Sequence, residues 1–444
     1  MSQRTTRRRF LSTAGLAAVG GLAGCVGGSP SATERPPTTE RRVSPTTTPE
    51  PTRWSDDPRE YRGDLLHAPD DWSGWSAYDG TLTETSETAF LGSTSMRLED
   101  VDGSRVRCRY DTDDDPLDLR DHAICAALRW DLPDRVVRFA LVLEDGSGNR
   151  LSAPANAVPS AVDTDDDWVM TEFGFSFLLD DEYVDLADIR DLKLVFNNGG
   201  SDRTRYYIDN IRLVPYEPRR GAVAFTADDG NRGQVETMRP ILREYGFPST
   251  HFNMKSTTGG DDHLSRDDLQ EIAGEPGCLV SPHPQHDLSL PQMTDEESYA
   301  AIRAEYEFHA DELGLGHDHA RYMSWPRGAS DTGTIAQARE FHDLAFDGVA
   351  GATAGWTSAA PMSIARASFD DLEDLLRALD VAEHYGRVLT PQFHRFRDDL
   401  PTDNGNVRPE DFQTFVDEVA SRDVDVVSID DLARIHEQGE ATGR

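Results

Sequence analysis

Lysine and cysteine are scarce in this chain of 444 residues. Lys193 and Lys255 are the only lysines, so nearly every basic side chain is an arginine. Lysine and arginine together number 44 against 81 acidic residues, which gives a formal net charge of -37. A chain this acidic repels a phosphate backbone, so nucleic acid is excluded as a predicted partner. The acidic surplus is typical of proteins kept soluble in concentrated salt, where charge repulsion is screened over short distances.

Long apolar runs are also missing, and the one apolar stretch near the start predicts export. Residues 6–11 read TRRRFL, a twin-arginine pattern, and the apolar residues 11–23 that follow are too few for a permanent membrane helix. Residues 22–25, LAGC, resemble a lipobox, in which Cys25 becomes the lipid-carrying first residue of the mature protein. We therefore predict a twin-arginine lipoprotein signal over 1–25 and a lipid-anchored, extracellular location. An ordinary cleaved signal with a chance cysteine is the alternative.

Two segments of different composition follow the signal. Residues 26–53 are rich in serine, threonine and proline and predict a disordered tether. Residues 54–216 alternate apolar with polar side chains in short runs separated by turn residues, which predicts an antiparallel sandwich. Cys108 and Cys125 lie in adjacent strand-like runs, so they either form a disulfide or stay as two buried thiols. Cys278 is expected to be a small core residue.

The middle segment resembles carbohydrate-binding modules of the jelly-roll type. The residues that carry this resemblance are Trp72-Ser73-Gly74-Trp75 and Tyr207-Ile208-Asp209-Asn210-Ile211. In such modules the Asp-Asn pair often closes a structural cation site. Trp72, Trp75 and Trp168 are candidates for stacking on sugar rings, and the alternative is that each belongs to the core.

Residues 217–435 alternate between strand-like and helix-like patterns, which predicts a parallel sheet or a barrel, with a tail over 436–444. An apolar run, Ala222 to Phe225, leads into Asp228-Asp229-Gly230. Ligands bind at the carboxyl ends of parallel strands, and two adjacent carboxylates there repel each other unless a cation or proton separates their roles. One can then bind a metal while the other acts as a base. A solvated acidic turn is the alternative.

Three later clusters also fall where strands are expected to end. The first contains His283 and His286, whose spacing lets both face one ion at the first turn of a helix. The second is the run from Arg321 to Gly328, and the third ends in His394.

In this order, the clusters resemble the polysaccharide deacetylases, the carbohydrate esterases of the NodB-homology family. The resemblance implies a distorted (β/α) barrel with a divalent metal, and two imidazoles with one carboxylate fit zinc. It also implies a role for each matched residue: Asp228 as general base, His394 as general acid, Arg321 as the partner of Asp228, Trp325 and Pro326 as a wall against the substrate, and Asp229, His283 and His286 as metal ligands.

The sequence also departs from the family pattern. The two histidines usually stand four apart, but here Pro282 occupies that position and His283 follows it. Gln392 replaces the usual apolar residue, and Asp347 and Trp356 are loose candidates for a fourth motif that orients the arginine. We predict an extracellular, metal-dependent deacetylase acting on an N- or O-acetylated glycan. The alternative is a glycan-binding surface lipoprotein with a degenerate, non-catalytic barrel.

Overall fold

The computed structural model describes residues 61–99, 105–112, 115–131, 138–155, 168–180, 182–197, 204–284, 289–350, 352–368, 371–399 and 405–442. The predicted signal (1–25) and tether (26–53) lie outside these residues. Within them, no helix has the length and apolar character needed to cross a membrane.

Antiparallel strands make up the first half of the described chain. Twelve strands are described there: β1 (Asp64–Leu65), β2 (Trp75–Asp79), β3 (Thr81–Thr85), β4 (Ser95–Glu99), β5 (Arg105–Asp111), β6 (His122–Trp130), β7 (Arg138–Asp145), β8 (Arg150–Pro154), β9 (Val169–Phe173), β10 (Phe177–Leu178), β11 (Ile189–Asn197) and β12 (Arg205–Pro215).

These strands form two sheets that enclose one apolar core. One sheet has the order β3-β4-β12-β6-β9, with β1 paired to β12, and the other has the order β10-β8-β7-β11-β5-β2. Alternate side chains point inward, so Val106 and Cys108 of β5 and Leu192 and Leu194 of β11 are buried between the sheets. The predicted antiparallel sandwich is therefore confirmed.

Three tryptophans and two cysteines of the sandwich are buried. Trp72, Trp75 and Trp168 are 7%, 6% and 9% exposed, so they are core residues rather than sugar-stacking platforms. Cys108 and Cys125 are free thiols. They cannot pair because Cys108 faces the core between the sheets, whereas Cys125 packs on the outer side of the other sheet.

The second half alternates strands with helices. Its described strands are β13 (Gly221–Val223), β14 (Thr226–Asp228), β15 (Thr250–Asn253), β16 (Leu279–Pro282), β17 (Tyr322–Ser324), β18 (Leu344–Ala350), β19 (Ile364–Ser368), β20 (Val388–Leu389), β21 (Gln392–Phe393) and β22 (Val424–Val426). Its described α-helices are α1 (Arg239–Tyr245), α2 (Arg266–Ala273), α3 (Asp295–Glu307), α4 (His317–Ala320), α5 (Thr332–Ala338), α6 (Leu372–Tyr385), α7 (Pro409–Ser421) and α8 (Ile429–Thr442).

All pairings between the labelled strands of this half are parallel, and they form three sheets. Their orders are β20-β13-β22, β16-β15-β14-β21 and β17-β18-β19. A parallel bridge between Ala367 and Pro391 links the third sheet to the start of β21. The parallel arrangement confirms the predicted α/β pattern, and a closed barrel stays a prediction.

Sequence signals at the helix ends match the structure in most places. Thr294 and Glu297 form a capping box at the start of α3, as a threonine followed three residues later by a glutamate favours. The inward-facing side chains of α7 include Phe412 and Phe415, which pack near Phe225. The last helix, α8, begins at Ile429 and continues past the predicted domain boundary at 435 to Thr442.

A buried ion pair joins the sandwich to the second half. Arg387, between α6 and β20, lies 3.3 Å from Glu172 of β9, and both side chains are fully buried. Arg387 also donates to the carbonyl oxygen of His122 and to the hydroxyl of Tyr216, each at 2.8 Å. Burial raises the pKa of Glu172, and the charge of Arg387 opposes that rise. The carboxylate also accepts the Gly355 N–H at 2.6 Å, so this pair fixes three chain segments together.

We predict that Arg387→Met lowers the free energy of unfolding by about 3–5 kcal/mol, because it leaves a buried carboxylate without its cation. The loss should grow as the pH rises, since removal of the guanidinium raises the folded-state pKa of Glu172 further above its unfolded value. Urea unfolding at several pH values measures both effects.

The matched control is Arg377→Met, which breaks an ion pair whose arginine is 53% exposed. Its cost should stay within about 1 kcal/mol. Equal costs for the two variants would contradict a stabilising role for the buried pair.

Candidate active site

The candidate site lies where the strands of one parallel sheet end. In the sheet β16-β15-β14-β21, β14 ends at Asp228, β16 at Pro282 and β21 at Phe393. Carboxyl ends of parallel strands meet at one edge of a sheet. The residues that follow directly, Asp229 and His283, therefore come together there. The charge of His394 acts on Asp228 and Asp229.

Asp228 is fully buried and has two polar partners. Arg366 of β19 donates to its two carboxylate oxygens at 2.6 and 2.8 Å, a bidentate pair in which both side chains are buried. The Nε2 of Gln392 donates to Oδ2 of Asp228 at 2.9 Å. Burial alone would raise the pKa of Asp228, but the Arg366 guanidinium outweighs it and holds the pKa well below its usual range. Asp228 is therefore ionised at neutral pH.

Asp229 adopts a backbone conformation that directs its side chain toward His283 and not toward Arg366. Its φ is 66°, in the left-handed region that side chains other than glycine rarely adopt. Gly230 follows with the same φ, and a Cβ there would lie 2.0 Å from Oδ1 of Asn253. Such strained positions persist where the surrounding structure enforces them, often at functional sites. The turn leaves the Asp229 side chain 32% exposed and beside His283.

His283 is held in one orientation. Its Nδ1 lies 2.6 Å from the hydroxyl and 3.1 Å from the carbonyl oxygen of Ser324. Its Nε2 lies 3.5 Å from Oδ1 of Asp229. Burial alone would lower the pKa of His283, but its interactions with Asp229 and Asp228 raise it. One ring nitrogen is thus occupied by Ser324 and the other faces the carboxylate.

His394 lies at the same edge, after β21. Its backbone N–H donates to the carbonyl oxygen of Gly405 at 2.8 Å, and its buried Nδ1 has no hydrogen-bond partner in the described part of the chain. A Cβ at Gly405 would lie 2.6 Å from that Nδ1, and its φ is 75°, so only glycine fits there. The charge of His394 lowers the pKa of both Asp228 and Asp229, so its side chain belongs to the same cluster.

Two of the three predicted metal ligands are described, and they fit a metal. Ligands about 2.0–2.1 Å from a tetrahedral ion lie roughly 3.3 Å apart, close to the separation of Asp229 and His283. A ligating imidazole commonly has its other nitrogen held by a polar partner, as Ser324 holds His283. His286 lies outside the described residues, and the residues within them contain no group of three ligating side chains.

Arg321 does not pair with Asp228, which corrects the sequence prediction. It follows α4, and its guanidinium reaches Asp343 at 2.5 Å and Glu437 at 2.6 Å. Arg366 takes the predicted position because β19 runs next to the site, whereas Arg321 lies ahead of β17 and turns toward α8.

The predicted substrate wall is also corrected. Trp325 is 1% exposed, and its Nε1–H donates to the carbonyl oxygen of Met362 at 2.8 Å. Pro326 is buried as well. A fully buried ring packed among residues such as Ile302 and Phe341 supports the core and has no surface left for a sugar.

The sequence motifs did not point to Arg366 or to the contact of Gln392 with Asp228. An arginine between two alanines in the buried strand Ile364–Ser368 was a usable signal, because a buried guanidinium requires a partner. Gln392, recorded only as a departure, supplies a hydrogen bond to Asp228.

Asp347 is fully buried, and burial raises its pKa to about 7 against a hydrogen bond from Ser363 and the charge of Arg366. Trp356, the other candidate for the fourth motif, is directed elsewhere, since its Nε1–H donates to the Gly386 carbonyl oxygen.

Comparison with known proteins finds a family that is similar to part of the chain. Residues 216–342 match the family model described as polysaccharide deacetylase. This stretch contains Asp228, Asp229 and His283, so the resemblance inferred from the motifs is confirmed for it.

A curated relative has low sequence identity to this chain. The chain is 22% identical over 149 residues to "Putative polysaccharide deacetylase YxkH" of Bacillus subtilis (strain 168), covering 34% of this chain and 52% of that protein. The chain thus spans about half the length of this curated relative.

Among solved structures, the peptidoglycan deacetylase PdaC of Bacillus subtilis is 15% identical at a TM-score of 0.34, covering 51% of this chain and 96% of that one. A family 11 carbohydrate-binding module of Clostridium thermocellum is 13% identical at a TM-score of 0.27, covering 34% and 94%.

We predict that the chain binds one zinc ion and that Asp229→Asn and His283→Gln each weaken binding by more than about 100-fold. Loss of a partner that merely orients a ligand already costs roughly 10–100-fold, and here a ligand itself is lost. Competition with a chelator of known affinity measures the binding.

The control is His384→Ala, which removes an exposed imidazole stacked on Tyr183 away from the candidate site. It should bind zinc as the unchanged protein does. Full zinc affinity in His283→Gln would contradict the assignment.

Proposed function

We propose that this protein is a metal-dependent deacetylase that removes acetyl groups from an N- or O-acetylated glycan. The proposal is supported by the different surroundings of two adjacent carboxylates. Asp228 is buried against Arg366 and Gln392, whereas Asp229 is partly exposed beside His283. One is thereby kept ionised as a base, and the other is left for a metal.

Asp228 would accept a proton from the water that attacks the acetyl carbonyl carbon. Its ionisation at neutral pH follows from the Arg366 guanidinium, which lowers the pKa of the Asp228 carboxyl. The low pKa makes Asp228 a weak base, so its contribution depends on position rather than on basicity. Gln392 supports that position through its hydrogen bond to Oδ2.

His394, in its protonated form, would give a proton to the leaving amine or alcohol. The acetyl C–N or C–O bond then breaks, and acetate and the free amine or hydroxyl are released. The negative charges of Asp228 and Asp229 attract a protonated His394, and its positive charge lowers the pKa of each in turn.

Asp229, His283 and His286 would hold the metal, with zinc as the expected ion. When bound, such an ion acidifies water and polarises a carbonyl oxygen. Ser324 keeps the Nε2 of His283 turned toward Asp229, so this chain prepares the site before any ion arrives.

The same proposal includes the predicted route and location. The twin-arginine pattern at residues 6–11 and the cysteine at Cys25 support export of the folded protein and a lipid anchor at the membrane. The substrate would then be an acetylated polysaccharide outside the cell.

We expect Asp228→Asn to lower kcat/KM for acetate release by about 10²–10⁴-fold, the usual contribution of a positioned base. Arg366→Lys should also lower it strongly, because an ammonium cannot replace a bidentate guanidinium. Acetate release from chemically acetylated glycans in molar salt, with zinc added, measures both.

Arg321→Lys is the matched control, since Arg321 binds Asp343 and Glu437 at a distance from the site. It should leave kcat/KM within about twofold of the unchanged enzyme, as expected for a partly exposed ion pair. If Arg321→Lys is as damaging as Arg366→Lys, the assignment of the arginine is wrong. If the zinc-loaded protein releases no acetate from any glycan, the non-catalytic alternative is favoured.

A further inference from the structure

A groove of about 590 Å³ lies on the outer face of the sandwich sheet β10-β8-β7-β11-β5-β2. Five cationic side chains line it: Arg105, Arg107, Arg109, Arg150 and Lys193. None of the lining residues that the structure describes is acidic. This concentration of cations occurs in a chain with a net charge of -37 and only two lysines.

The strand pattern explains why these cations share a face. Arg105, Arg107 and Arg109 alternate along β5 with the core residues Val106 and Cys108, so all three point outward. Lys193 on β11 lies opposite Arg109 in the register, and Arg150 begins β8 further across the sheet. The groove is therefore a surface that regular β-geometry holds in place.

Carboxylates around the groove keep the patch close to neutral. Asp79 pairs with Arg105 and Arg107 at 3.5 and 3.1 Å, and Asp180 pairs with Arg150 at 2.9 Å. Further pairs join Arg109 to Asp111 and Asp191, and Lys193 to Glu144. The arginine side chains are still 33–47% exposed, and a guanidinium has five donors, so each can bind a second anion.

Exposed apolar groups accompany the cations. Among the described residues, five large apolar side chains are clearly exposed, and two of them, Tyr78 and Leu179, line this groove. The guanidinium of Arg107 lies 4.9 Å from the centre of the Tyr78 ring. A ring with one apolar face and a fixed cation beside it suits a ligand that carries both apolar C–H surface and negative charge.

We propose that this groove binds an anionic polysaccharide, one whose sugars carry carboxylate or sulfate groups. The amphipathic ring and the cations match the two kinds of surface such a polymer presents. The planar guanidinium favours bidentate contact with carboxylate or sulfate groups.

The dimensions favour a polymer over a single anion. Alternate residues on a strand are about 6.8 Å apart, so Arg105 and Arg109 are separated by roughly 14 Å along β5. Arg150 on β8 lies three strands from β5, which is roughly 14 Å across the sheet. One small anion can contact one or two of these groups, whereas a chain can engage several at once and gain affinity from their number.

The test compares dextran, carboxymethyl dextran and dextran sulfate, which share one backbone and differ in charge. Binding is titrated by calorimetry in molar KCl with the folded protein. We expect both charged polymers, or one of them, to bind and plain dextran not to bind. Carboxymethyl dextran and dextran sulfate separate the two sources of charge. None of these probes carries an acetyl group, so the result is independent of the proposed deacetylase activity.

Arg107→Gln/Arg109→Gln should weaken binding of the charged polymer by about tenfold or more. Its matched control is Arg303→Gln/Arg377→Gln, which removes two exposed arginines from helical ion pairs outside the sandwich. Acetate release from a small soluble substrate should be unchanged in both, and equal thermal unfolding midpoints show that both fold.

Three results would overturn the proposal. The first is that neither charged polymer binds. The second is that plain dextran binds as tightly as the charged forms. The third is that single-stranded DNA, a polyphosphate, binds through the same arginines as tightly as the charged dextrans.

Discussion

The buried pair between Asp228 and Arg366 is the interaction on which the candidate site depends. Burying two charges is costly unless they are paired with good geometry and further hydrogen bonds, and the bidentate contact with Arg366 together with the Gln392 hydrogen bond supplies these to the carboxylate of Asp228. The pair joins β14 of one parallel sheet to β19 of another, so it also fixes how the two sheets meet. Position and protonation state of the proposed base therefore have one common cause.

Backbone geometry then separates the roles of two neighbouring carboxylates. The positive φ of Asp229 turns its side chain away from Arg366 and toward His283, and Gly230 permits the turn because Asn253 leaves no room for a Cβ. Ser324 fixes His283 from the other side. A base and a prospective metal ligand thus stand next to each other in sequence without competing for the same partner.

Outside the candidate site, the arginines of this acidic chain are arranged in ion pairs with carboxylates. Arginine is almost the only cation available, and the chain uses it in buried pairs such as Glu172–Arg387 and in the paired patch on the sandwich. Guanidinium groups suit both settings because they form several directed hydrogen bonds and are more weakly hydrated than ammonium groups. The groove on the sandwich therefore differs from the rest of the acidic chain because the strand geometry gathers cations on one face of the sheet.

The sequence by itself determined the strands and the residues at their ends. Alternation of apolar and polar side chains in short runs predicted the strands of the sandwich. Asp228, Asp229, His283 and His394 were found because each lies at the end of a strand or just after it. Only tertiary structure decided which arginine serves Asp228, since Arg366 is 138 residues away and Arg321 occupied the expected motif. Burial likewise turned Trp325 and the sandwich tryptophans into core residues, because packing between distant segments decides exposure and local spacing does not.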